Sequence, residues 1–272
     1  MGTVKEERAV IGGVETFWRR ADPAAGSTPA LFVHGVPTNS DIWLPFLEDA
    51  GGVALDLPGF GRSGKPADFD YSIPGYDAFL GAFLDHTALE RFSLVVHDWG
   101  GALGLALAQR LHERLDRLVV INSLPLLPGY RWHRIARVWR TPLAGEMAMG
   151  FTTRLTLKWV LREATPQPGS MPEDFIDSVY DHFDHGTQRA ILRLYRSAPP
   201  EVLERWGRGL HEITAPTLVL WGTEDPYIPV AFAQAYTDAL GGETRLELVE
   251  GAGHWCWRDR PELVEQAAEF LR

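Results

Sequence analysis

The sequence predicts an α/β protein built on a mostly parallel sheet with helices on both faces. Three observations carry that prediction. Short, continuously apolar runs recur along the chain, as strands buried on both sides of a sheet require. Amphipathic stretches alternate with them, the order expected of β–α crossovers. One long helical segment then interrupts the alternation before a strand returns. Length and composition agree: 272 residues, 45% hydrophobic and 23% charged, are ordinary globular values and can fill one sizeable core.

In chain order, VETFWRR (14–20) alternates apolar and polar residues and suits an antiparallel edge strand. ALFVHG (30–35), GVALDLPG (52–59), FSLVVHD (92–98) and RLVVINS (117–123) follow as strands. PTLVLWG (216–222) and RLELVEG (245–251) complete the set. Helical patterns cover 75–89, 101–115, 230–240 and 261–271, the last with Asp259 as N-cap two positions before Pro261. From 128 to 212 the pattern is helical, rich in Trp and Arg, and broken by a Pro/Gly loop, TPQPGSMP (165–172). The expected organisation is a core of 1–127 and 213–272 carrying a helical cap, 128–212. Such a cap sits over the C-terminal ends of the strands, where open α/β sheets bind ligands.

A net charge of −10 with pI near 5.4 argues against nucleic acid or an anionic membrane as partner. The single cysteine, Cys256, cannot form an internal disulfide and suits a reducing compartment. No apolar run reaches the roughly 18 residues of a membrane span. MGTVKEERAV lacks the apolar stretch of a signal peptide, and Glu6 stands where myristoylation needs Ser or Thr. The expectation is a cytoplasmic protein, open to homodimer formation, with no cofactor and no metal. YDHFDHGTQR (180–189) offers His182 and His185, but reads as a polar helix end in the cap. GFGRSG (59–64) lacks the Lys-Ser/Thr of a phosphate loop and reads as a turn. His97 reads as structural and Cys256 as packing.

The stretch LVVHDWGGALG (94–104) runs from β-formers through a sharp corner into a helix opened by small residues. A turn of this kind holds a catalytic nucleophile, and the residue at its tip is Asp98 instead of the usual serine. Asp225, in WGTEDPYIP, and His254, in EGAGHW, each follow an apolar strand. The chain order is therefore nucleophile, acid, histidine. Together HGVPTNSDIW (34–43), DLPGFGRSGKP (56–66), HDWGG (97–101), WGTEDPYIP (221–229) and GHWCWRDRP (253–261) resemble the α/β-hydrolase superfamily. The resemblance is to its aspartate-nucleophile branch, the epoxide hydrolases and haloalkane dehalogenases. It implies the α/β-hydrolase fold, with the helical cap inserted after the sixth strand.

A carboxylate with a pKa near 4 is ionised at neutral pH and needs no base before it attacks. Its natural target is a saturated carbon bearing a leaving group, since attack on an ester would give an anhydride. The resulting alkyl ester on Asp98 must be cleared by water, with His254 as base and Asp225 as its orienting acid. The backbone N–H groups of Val36 and Trp99 are the expected oxyanion hole. His34, Pro37, Trp99, Tyr130 and Trp255 are expected to line the pocket, with Pro37 a candidate for a cis peptide bond.

Two substrates fit that chemistry. Halide release needs donors: the resemblance supplies Trp99, but Val36 has no side-chain donor where dehalogenases carry Asn or Glu. Trp132, Trp139, Trp159 and Trp206 remain cap candidates, and HGVPTNSDIW shares the dehalogenases' P-T-x-S-x-x-W run. Epoxide opening needs a proton donor for the ring oxygen, and LRLYRSA (192–198) resembles the cap motif that presents one, here Tyr195. Tyr130 and Tyr180 are candidates for a second. GHWCWRDRP resembles the epoxide hydrolase version more closely. The expected activity is therefore conversion of a small apolar epoxide and water to a vicinal diol. Haloalkane dehalogenation by the same nucleophile is the first alternative. A ligand-binding receptor of the same fold with little turnover is the second.

Overall fold

In a computed structural model, which describes residues 3–167, 169 and 171–272, eight strands form one sheet. They are β1 (Lys5–Ile11), β2 (Val14–Ala21), β3 (Ala30–Val33), β4 (Gly52–Leu55), β5 (Phe92–Asp98), β6 (Leu115–Ser123), β7 (Thr217–Gly222) and β8 (Thr244–Val249). The spatial order is β1-β2-β4-β3-β5-β6-β7-β8. The β1/β2 and β2/β4 pairs are antiparallel and the other pairs parallel. The apolar runs of β3, β4, β5 and β7 are buried throughout, as a sheet covered on both faces requires.

The helices are α1 (Leu44–Ala50), α2 (Ile73–His86), α3 (Trp99–Arg110), α4 (Arg134–Arg140), α5 (Ala144–Gly150) and α6 (Arg154–Glu163), then α7 (Glu173–Tyr180), α8 (His185–Ser197), α9 (Pro200–Trp206), α10 (Ala231–Ala239), α11 (Cys256–Asp259) and α12 (Glu262–Leu271). Leu94, Val96 and Val120 face the layer containing α2, α3 and α10. Val95, Val119 and Ile121 face the layer of α1, α11 and α12. This is the period-two alternation of a strand applied to a sheet with two apolar faces.

Helices α4–α9 lie between β6 and β7, so the cap enters after the sixth strand. Of the expected Pro/Gly loop, Pro168 and Ser170 lie outside the described residues, as do Met1 and Gly2 of the N-terminal segment. The second half of the cap is tied to core loops. Lys65 Nζ reaches Asp184 Oδ2 at 2.8 Å, and Thr187 Oγ1 donates to Gly59 O at 3.0 Å. Ser178 Oγ donates to Asp41. Asp41 in turn pairs with Arg19 Nη1 at 2.7 Å and Arg62 Nη2 at 2.8 Å. Asp184, in the His182–His185 stretch, caps α8 by accepting the Thr187 N–H at 2.9 Å. No helix among the described residues is long and apolar enough to cross a membrane.

Three local expectations are corrected. VETFWRR is antiparallel but is not the edge: β1 pairs outside it over its whole length. KEERAVI is largely exposed, so the apolar signal for that strand is weak. The 52–59 strand stops at Leu55, because Asp56 turns its carboxylate to the Ser40 and Arg62 N–H groups, both at 2.7 Å. Asp259 does not cap α12, whose N-cap is Pro261; it accepts the Gly253 N–H at 2.8 Å.

Candidate active site

Strand β5 ends in Asp98, whose φ of 53° and ψ of −126° are strained for a residue with a side chain. The strain is held by close packing on either side. A Cβ on Gly100 would lie 2.0 Å from Val33 O, and one on Gly101 would lie 2.3 Å from Ser123 Cβ. These contacts press the start of α3 against the ends of β3 and β6 and lift Asp98 above the sheet. Gly35 faces it so closely that a Cβ there would lie 2.3 Å from Asp98 Cβ and Oδ1. The Val36–Pro37 peptide is cis. The Val36 N–H donates to Asp98 Oδ1 at 2.8 Å.

The other carboxylate oxygen faces the histidine: Asp98 Oδ2 is 3.6 Å from His254 Nε2. His254 Nδ1 donates to Asp225 Oδ2 at 2.7 Å. Asp225 is saturated with donors: Oδ1 accepts the Tyr227 N–H at 2.8 Å and the Ile228 N–H at 3.1 Å. Asn122 Nδ2 donates to Oδ2 at 2.7 Å, and Asn122 Oδ1 accepts the Gly222 N–H at 3.0 Å. The Asp225 oxygen so placed keeps a proton on His254 Nδ1, leaving Nε2 to take one up. Beneath the ring, His97 Nε2 donates to His254 O at 2.9 Å, which accords with its structural reading.

Burial raises the Asp98 carboxyl above its ordinary value, although His254 and the Trp99 and Val36 N–H groups oppose the shift. Burial opposes charging His254 too, but Asp225 and Asp98 outweigh it and hold the imidazole above its ordinary value. The thiol of Cys256 is buried and pushed up, as befits packing.

Over this group lies a narrow cavity walled almost entirely by apolar and aromatic side chains. Val36, Pro37, Asp98, Tyr130, Tyr195, His254 and Trp255 all line it. Two expected pocket residues do not. His34 is fully buried, with Nε2 accepting the Leu57 N–H at 3.0 Å. Trp99 lies behind the wall, stacked on Trp132 with ring centroids 5.6 Å apart. Of the cap tryptophans, Trp132 and Trp139 line the cavity, but Trp132 Nε1 donates to Ala198 O at 3.1 Å. Trp159 is 61% exposed, and Trp206 packs on the core. Tyr180 is 37% exposed and is not in the wall.

The phenols of Tyr130 and Tyr195 share the cavity with Asp98. Tyr195 and Tyr130 are both raised well above the ordinary value, by burial first and then by the Asp98 charge, so both keep their protons. Tyr130 Oη has no partner among the described residues. Trp99 Nε1 makes no hydrogen bond of normal geometry there either, yet it lies close enough to the Tyr195 oxygen to favour its ionised form. Asn122, His133 and Tyr227 were not expected in the site. Tyr227 sits in the quoted WGTEDPYIP, two residues after Asp225, which is the one signal that could have found it.

Residues 28–257 match a family model described as alpha/beta hydrolase fold. A haloalkane dehalogenase from Mycolicibacterium paratuberculosis is 30% identical over 88% of this chain and 81% of its own length. Epoxide hydrolase 3 from Xenopus tropicalis is 26% identical over 89% of this chain and 71% of its own length. The crystal structure of the haloalkane dehalogenase DbeA from Bradyrhizobium elkani superposes with a TM-score of 0.85, at 23% identity, over 99% of this chain and 98% of that one. At that identity the likeness is one of fold.

Proposed function

Because this chain belongs to the alpha/beta hydrolase fold family, we propose that it is a hydrolase working through a covalent alkyl ester on Asp98, with an epoxide as substrate. The observation that carries the covalent step is the division of labour at the Asp98 carboxylate. Oδ1 is held by the Val36 N–H, while Oδ2 faces His254 and is free to attack. In the first step Oδ2 forms a bond to an epoxide carbon as the carbon–oxygen bond of the ring breaks. The electron pair goes to the ring oxygen, which takes a proton from Tyr195, with Tyr130 as a second donor. The indole N–H of Trp99 then stabilises the Tyr195 phenolate.

In the second step water gives a proton to His254 Nε2 and attacks Asp98 Cγ. The negative charge develops on Oδ1, which the Val36 N–H already holds, with the Trp99 N–H as the expected second donor. Collapse breaks the Cγ–Oδ2 bond, His254 Nε2 returns its proton to the departing alkoxide, the proton left on the new Asp98 carboxyl passes to the Tyr195 phenolate, and the diol leaves. Esterification also removes the Asp98 charge that helps raise His254, so the imidazole becomes easier to keep neutral when it must act as base.

Specific observations favour the second reading, haloalkane dehalogenation, and the comparisons lean towards it: of the relatives named above, the dehalogenase has the higher identity. The two phenols that line the cavity could donate to a departing halide, with Trp99 Nε1 behind them. Against it, Val36 offers no side-chain donor and Trp132 Nε1 is already committed to Ala198. The two phenols therefore decide the choice of epoxide.

Incubation with styrene oxide and with a brominated alkane, assayed for diol and for bromide, separates the readings. Diol is the expected product; bromide without diol transfers the assignment to dehalogenation. A His254→Gln variant is expected to accumulate a substrate-sized adduct on Asp98 by intact mass, since the first step survives and the second does not. No adduct from any epoxide or halide would leave the receptor reading in possession.

A further inference from the structure

His133 is a polar group in the cavity wall that the reaction above does not use; the other, Tyr227, has its hydroxyl committed to Val160 O at 3.0 Å. It stands just ahead of α4 and accepts the Ala136 N–H through Nδ1 at 3.4 Å, capping that helix. Capping does not require an imidazole, since Ser, Thr, Asn and Asp are the residues that do it well. With Nδ1 accepting, the neutral ring carries its proton on Nε2. Among the described residues the hydrogen bonds found for this ring involve Nδ1 alone. The ring is half-buried, lines the cavity, and packs against Tyr227 with centroids 4.9 Å apart and against Tyr195 at 6.5 Å. It therefore stands beside the Tyr195 phenol, within the length of one small substrate.

Burial, with the nearby His254 and Arg137 charges adding to it and Asp225 opposing, pulls His133 down to about 4. At neutral pH it is an uncharged donor, suited to a neutral oxygen and not to a carboxylate. Among the described residues the rest of the wall contains no Lys or Arg that could meet an anionic substrate.

We propose that His133 forms a polar subsite that donates from Nε2 to an uncharged oxygen of the substrate, so that the preferred substrates carry an ether, hydroxyl or carbonyl oxygen a few bonds from the reacting carbon. This rests on the Asp98 alkylation reading but not on the choice between epoxide and halide. The test compares isosteres that differ by one oxygen: phenyl glycidyl ether with phenethyl oxirane, and phenoxypropyl bromide with phenylbutyl bromide. Which pair turns over reports on the reaction; the ratio within a pair reports on the subsite.

The wild-type protein is expected to favour the oxygen-bearing member by about fivefold or more in kcat/KM, the size of one neutral hydrogen bond. His133→Asn keeps a good helix cap but shortens the donor, and is expected to abolish the preference, read as the ratio of kcat/KM within each pair. His133→Phe, which keeps the ring and loses the donor, should agree. No preference in the wild type, or a preference that survives in both variants, overturns the subsite. Failure of both pairs to alkylate Asp98 overturns the reading beneath it.

Discussion

At the scale of single residues, the site divides into groups that act directly and groups that make the action geometrically available. Tyr195→Phe removes a proton from the ring-oxygen position and is expected to lower epoxide turnover at least about tenfold; unchanged turnover would remove Tyr195 from the site. Gly35→Ala places a methyl group 2.3 Å from Asp98 Oδ1, so activity should fall below detection while far-UV circular dichroism stays native. The direction of the His254 shift fixes a pH prediction. Asp225 and Asp98 raise the free imidazole, and the alkyl ester retains only the Asp225 contribution. Release of product from preformed alkyl-enzyme should therefore rise with pH through an apparent pKa lower than the one measured for His254 by NMR in the free protein. Equal values would contradict the loss of the Asp98 charge. Asp98, Asp225 and His254 were legible because each sits in a short motif at a strand end. Asn122 and His133 were not, since contacts that only folding creates bring them to the site, at a separation of 103 residues in the Asn122–Asp225 pair.

Among the elements, legibility follows the strength of the apolar period. Strand β5 was read with its observed bounds because all seven residues are buried and apolar types dominate. Strand β1 was missed because an edge strand carrying Lys5, Glu6, Glu7 and Arg8 needs only Ile11 fully inside. Edge strands of this sort are often charged, which protects them from pairing with other chains. The elbow between β5 and α3 is the element on which chemistry depends most. Gly100→Ala would set a Cβ 2.0 Å from a backbone oxygen of β3, where no side-chain rotation can relieve it. A loss on the order of 1–3 kcal/mol in denaturant unfolding is expected, together with lost activity as the Asp98 tip moves. A wild-type denaturation midpoint would show that α3 can shift away at no cost.

For the molecule as a whole, core and cap are joined by an ionic junction outside the cavity wall. Asp41 joins Arg19 of β2, Arg62 of the turn after β4 and Ser178 of α7. Burial works against the Asp41 charge, but Arg62, Ser178 and Arg19 prevail and lower its pKa. Since the folded value is the lower one, the stability this carboxylate contributes is present above the ordinary value near 4 and is lost as pH falls through the folded value. Asp41→Asn leaves two partly buried guanidinium groups under-compensated and is expected to cost on the order of 2–4 kcal/mol at neutral pH. The deficit should narrow in acid. A deficit that does not change with pH would show that packing, not charge, is lost. The sequence predicted the inserted helices from their period, but not this junction, because no local pattern announces a contact between residues 41 and 178.

The clamped carboxylate also gives the protein a memory of the solvent. In the proposed reaction each cycle would hand one Asp98 oxygen to the product and replace it with one from water, with the Val36 amide on Oδ1 keeping the two positions from trading places. On transfer to ¹⁸O-water the first product molecule should emerge unlabelled and the second should carry the heavy atom, one cycle late. Half-labelled second products would mean that the carboxylate spins between cycles.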